Sequence, residues 1–213
     1  MNIQYTLLSE GSSDQALLPI LSFVLGERGA ETVEPQWADI GRLREPPQTL
    51  PDKIRTAVDL YPCDLLFVHR DADRVGHDSR KEEITRGLVE AEIDVASVCV
   101  VPVRMTETWL LIDEHAIRAA AGQPRGRAVL NLPQLRRLEE EAYPKAALHQ
   151  ALRDASQLRG RRLRDFPVKQ RVRRVAELIA DYGALRGLSA FRALEQEVRT
   201  ALDQLGARPA RRD

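Results

Sequence analysis

Cysteine is scarce in this chain, with two in 213 residues, Cys63 and Cys99, both inside apolar strand-like runs. That scarcity excludes a disulfide framework and predicts buried, reduced thiols. Long apolar runs are missing too. No stretch approaches the ~20 residues of a membrane-spanning helix, and no basic segment leads into an apolar one at the N-terminus. The expectation is a cytoplasmic protein with no membrane partner. The four histidines, His69, His77, His115 and His149, show no zinc-ligand spacing. No Gly-x-x-x-x-Gly-Lys-Ser/Thr loop is present, so any nucleotide-driven step belongs to another protein. Aromatics are only 5% of the chain, leaving the second half without an aromatic-rich core of its own. What remains is 43% hydrophobic and 30% charged, enough for one core of ordinary size.

The pattern of those apolar residues predicts an α/β first half and a helical second half. Strands are expected over 3–8, within 31–40, over 65–68 and over 95–103, the second with Pro35 marking an edge or a bulge. Helices are expected between them: from Ser12 or Ser13 to about Glu27 with Pro19 disturbing its early turns, from Thr49 to about Tyr61, and from Asp78 or Ser79 to about Glu92 with Ile84, Leu88 and Val89 inward. Alternation of this kind gives a mostly parallel sheet with helices on both faces, a Rossmann-like arrangement. Helical periodicity alone follows over 107–121, 133–141, 144–156, 167–182 and 189–205. This half reads as a helical extension packed on the sheet domain, with Trp109 more a core residue than a base-stacking surface.

Two acidic motifs sit where strands should end. Residues 3–8 run into Ser9-Glu10-Gly11, and residues 65–68 run into His69-Arg70-Asp71-Ala72-Asp73. In an open α/β sheet the carboxyl ends of neighbouring strands project into one crevice, and Asp71 and Asp73 alternate along an extended segment and so face one side. Glu10, Asp71 and Asp73 are therefore candidates to share a site. Converging carboxylates without a His or Cys cluster suit Mg²⁺ or Mn²⁺. Glu107, directly after the fourth strand, is a further candidate ligand, with helix N-terminal charge stabilisation as the alternative. Asp14 and Asp78 read as helix caps.

The formal net charge of zero hides an asymmetry: residues 1–103 hold 10 basic and 18 acidic side chains, residues 104–213 hold 22 and 14. The densest basic stretch, 153–174, carries nine basic side chains against Asp154 and Asp165. Such a stretch is either a solvated face or a phosphate-binding element, and guanidinium groups bind phosphate in bidentate fashion. Arg161, Arg162, Lys169, Arg171 and Arg174 are the expected nucleic-acid contacts within it.

Glu10-Gly11 after one strand and Asp71-Ala72-Asp73 after another resemble the Toprim domain of topoisomerases, bacterial primases and the overcome-lysogenization-defect nucleases. Glu107-Thr108-Trp109-Leu110-Leu111, Pro144-Lys145 and residues 185–194 (LRGLSAFRAL) are similar to small stand-alone Toprim-like proteins of the RloB group. The resemblance implies a Toprim-like domain over 1–121 and a basic helical extension over 122–213. It implies a Mg²⁺- or Mn²⁺-dependent nuclease of DNA or RNA, with Glu10, Asp71, Asp73, Glu107 and Lys145 in the catalytic centre. Glu10 would serve as a ligand or as a general acid or base. It also implies an antiphage or toxin-like system, an ATPase partner encoded nearby, and self-association as a further possibility. A non-catalytic docking subunit of an ATPase complex is the alternative. Val75 stands where many Toprim domains carry a third alternating Asp, so one ligand of that pattern is missing.

Overall fold

The computed structural model describes residues 1–72 and 75–207. Four strands, β1 (Asn2–Leu8), β2 (Thr32–Trp37), β3 (Leu65–His69) and β4 (Ala96–Val100), form one all-parallel sheet in the order β2-β1-β3-β4. Register is set by pairs such as Tyr5 with Pro35, Leu7 with Phe67 and Val68 with Cys99. Strands buried on both faces need apolar side chains at successive positions, which is why β3 is buried at every residue. Pro35 sits in the edge strand, where a missing N–H leaves no ladder bond unmade.

Helices cover both faces. On one lie α2 (Leu50–Leu60) and α3 (His77–Ala91), packed with Leu66, Val68 and Cys99 of the sheet. On the other lie α1 (Leu17–Glu27), α4 (Glu114–Ala120), α5 (Pro144–Ser156), α7 (Val168–Leu178) and α8 (Ser189–Ala207), with α6 (Gly160–Arg164) between α5 and α7. Side chains of this second group share one apolar cluster with Tyr5, Leu7, Phe67 and Val98, so the helical half closes a face of the sheet. Trp109 is fully buried there, edge-on to Phe191 at 5.6 Å.

Local chemistry sets the boundaries. Thr49 Oγ1 accepts the Asp52 N–H at the start of α2, and Pro51 occupies its first turn. The helix expected from Ser12 opens instead as a 3₁₀ turn over Ser12–Ala16, and α1 begins where Pro19 falls in its first turn and needs no intrahelical donor. The helix expected over 107–121 divides into a 3₁₀ turn, Thr106–Leu110, and α4, because Asp113 caps a new start by accepting the Ala116 N–H at 2.9 Å. Val89, expected inward, is 72% exposed: α3 buries the Ile84, Gly87 and Ala91 stripe, and Val89 lies off it. The outer edge of β4 is covered by α8, where the Cys99 N–H donates to Glu197 at 2.9 Å and Lys81 Nζ holds that carboxylate at 2.6 Å.

Candidate active site

The chain leaves β1 toward β2 and then crosses back to β3, so the loops after β1 and β3 depart in opposite directions and open a crevice at the carboxyl end of the sheet. Glu10 stands on one lip, Arg70 and Asp71 on the other. Glu10 Oε1 lies 2.6 Å from Arg70 Nε, and Arg70 also reaches Glu83 at 2.8 Å. Glu83 pairs in turn with Arg80 at 2.7 Å, and Arg80 Nε donates to the Asp71 carbonyl at 3.1 Å. The loop after β4 joins the same crevice, since the Thr106 N–H donates to Asp71 Oδ1 at 3.2 Å.

Beneath these loops His69, the last residue of β3, is buried. Its Nδ1 stands 2.9 Å from the Val100 carbonyl, which can only accept, so Nδ1 carries the proton. Burial pushes the imidazole pKa down, against the opposing influence of Asp14, the Val100 bond and Glu10, and Arg70 pushes it further down. The ring is thus neutral, and Nε2 presents a lone pair. Thr106 Oγ1 lies 3.4 Å from that nitrogen, and so does Asp71 Oδ1. The Thr106 hydroxyl can donate to that lone pair, and the Thr106 N–H donates to Asp71 Oδ1, so Thr106 holds both groups. Asp14 Oδ2 accepts the Gly11 N–H at 3.0 Å, as the expected cap.

Of the acidic residues at this end of the sheet, Asp71 lies against the buried ring and Glu10 reaches it through Arg70, while Asp73 lies outside the described residues. Among the described residues no group of three or more His, Cys, Asp or Glu side chains is placed to hold a metal ion. The carboxylate oxygens of Glu10 and Asp71 are of the kind that suits a hard divalent cation, and no thiolate lies with them. The Glu10–Arg70 pair does not oppose this. Glu10 is 56% exposed, and an ion pair so open to water contributes under about 1 kcal/mol, little against a doubly charged ion.

A cationic cluster borders the acidic crevice. Glu107, one residue past Thr106, has a side chain only 8% exposed, and Lys145 Nζ approaches it to 3.6 Å. Lys145, His149 and Arg153 follow at four-residue spacing along α5, one face of a helix, and Lys169 joins from the first turn of α7. All of them act on His149: its pKa is lowered first by burial and then by Lys145, Arg153 and Lys169, with Glu107 opposing. Arg173 of α7 donates to Gln15 Oε1 at 2.8 Å, which places α7 over the turn that follows Glu10.

Of the residues singled out in the sequence, Glu10 pairs with Arg70 beside Asp71, and Glu107, one residue past the Thr106 that holds Asp71, pairs with Lys145. Arg161 is paired with Asp165 at 3.5 Å, Arg174 with Glu177 at 3.0 Å, Arg171 lies over the Phe166 ring at 5.8 Å, and Arg162 is exposed on α6. His149 and Arg153 were not singled out, although their spacing from Lys145 was legible. Comparison of the chain with protein-family models, with curated proteins and with solved structures returned no match.

Proposed function

We propose that the chain is a Mg²⁺- or Mn²⁺-dependent nuclease of Toprim type that hydrolyses phosphodiester bonds of DNA or RNA. The observation that carries this reading is the adjacency of two opposite fields at one strand-end crevice. Asp71, with Glu10 linked to it through Arg70, lies on one side of Thr106, and the Glu107–Lys145 pair opens the basic face of α5 on the other. Glu10 and Asp71, with Asp73, would hold the metal ion. When bound, such an ion supplies Lewis-acid stabilisation of the scissile phosphate and a water acidic enough to attack near neutral pH.

The chain's own residues do the rest. Lys145, Lys169 and Arg153 bind the non-bridging oxygens and offset the charge that grows as water adds to phosphorus. Glu107 is a positioning residue, holding the Lys145 ammonium toward the crevice. Thr106 fixes the Asp71 carboxylate through its N–H and supports His69 through its hydroxyl. The proton lost by water passes to solvent, which returns one to the departing sugar oxygen.

The test is cleavage of plasmid, single-stranded DNA and RNA with Mg²⁺ or Mn²⁺, together with calorimetric Mn²⁺ binding. Asp71→Asn is expected to lower cleavage by about 100-fold or more and to weaken Mn²⁺ binding while the melting temperature holds. Failure of the unaltered chain to bind Mn²⁺ at millimolar concentration would sink the reading. Binding without cleavage of any substrate would favour a docking subunit of an ATPase complex.

A further inference from the structure

A cleft of about 430 Å³ opens beside Glu10 on the side away from β3, between the carboxyl ends of β1 and β2. Its size falls within the ~300–1,000 Å³ typical of small-molecule sites. Glu10 forms part of its wall, so the cleft and the proposed metal crevice share a residue. Trp37, the last residue of β2, forms another part, and its indole N–H donates to Ser9 Oγ at 3.0 Å, which pins the ring. Gln48 brings an amide to the rim, and Arg42 a guanidinium held by Asp39 at 2.9 Å. Lys53, in the first turn of α2, lines the cleft half-buried, with no side-chain ion-pair partner among the described residues.

An aromatic ring and an ammonium lining one small cleft match the base and the phosphate of a nucleotide. Every base has a π-face that stacks on an aromatic side chain whatever its sequence. We infer that this cleft seats one unpaired nucleotide of the substrate, its base against Trp37 and its phosphate toward Lys53, next to the bond cleaved at Glu10. A paired base has both faces stacked and its edge bonded, and entering so narrow a space would require extrusion from the duplex. The substrate class is therefore single strands and frayed or overhanging ends. This inference rests on the nuclease reading for its purpose, but not for its measurement.

Of the chain's two tryptophans Trp109 is fully buried, so a ligand in the cleft is read by Trp37 fluorescence. Deoxyadenosine monophosphate is expected to quench that emission saturably, and deoxyribose 5-phosphate is not. Lys53→Ala, at a surface position, should weaken the nucleotide by about 10-fold, and Trp37→Leu by a similar factor in calorimetry. No saturable quenching by about 10 mM nucleotide, equal quenching by the sugar phosphate, or unchanged affinity in Lys53→Ala each overturns the inference. A chain that cleaves nucleic acid without this quenching keeps the nuclease reading and loses the cleft. A chain that shows the quenching and cleaves nothing does the reverse.

Discussion

The Cys99 thiol, buried in β4, has its pKa pushed up to about 11 by burial and by the Glu197 carboxylate. At pH 8 only about one thiol in a thousand is ionised, so a disulfide reagent should modify the half-buried Cys63 first and Cys99 only on unfolding. The raised value also gives a sign. Stability linked to this group is present below the ordinary thiol pKa of 9 and is lost as pH rises toward 11. The urea midpoint should therefore fall across that window, and fall less in Cys99→Val; equal losses in both chains would assign the effect to other groups, such as Tyr5. At this scale the acidic pair was legible because Glu10 and Asp71 directly follow apolar strands. His69 was not, since one histidine at a strand end carries no pattern, whereas Asp14 was read as the cap it forms.

Where α3 crosses α2, Gly87 permits a close approach: a Cβ there would stand 2.8 Å from Leu50 Cδ2 and 3.4 Å from Ile54 Cδ1. Gly87→Ala should destabilise the fold by about 1–3 kcal/mol despite alanine's better helix propensity, because overpacking two buried side chains outweighs a gain of at most about 1 kcal/mol. Thermal melting of Gly87→Ala, alone and with Leu50→Ala, checks the contact; a melting point unchanged or raised in the single variant would show that Leu50 yields freely. The elements themselves were legible where caps and proline agree with periodicity, as in α2 and α5. The break at Asp113 was not, because apolar residues on both sides carry one helical period through it. Val89 shows the same limit, since its apolar character fits the helix pattern while its position faces water.

For the whole molecule, the opposed charges of the two halves acquire meaning only through packing. The fold lays α5 and α7 beside the strand ends of the acidic half, a long-range result that no local pattern encodes. If the interface is the cluster around Glu107, Lys145→Ala with Lys169→Ala should flatten the salt dependence of nucleic-acid binding by about 0.7 to 0.9 in log-log slope per contact. Replacing Arg161, Arg162 and Arg174 together should then leave that slope nearly intact. A loss confined to the second set would move the interface to α6 and the outer face of α7.

The two rims of the sheet are closed by different chemistry. Pro35 leaves one backbone position of β2 without a donor, and Glu197 occupies the outward N–H of β4. An extended peptide or a second copy seeking to continue the sheet meets a missing donor on one rim and a satisfied one on the other. Growth by strand addition, the route to edge-to-edge aggregation, is thus hindered at both rims by a different device at each.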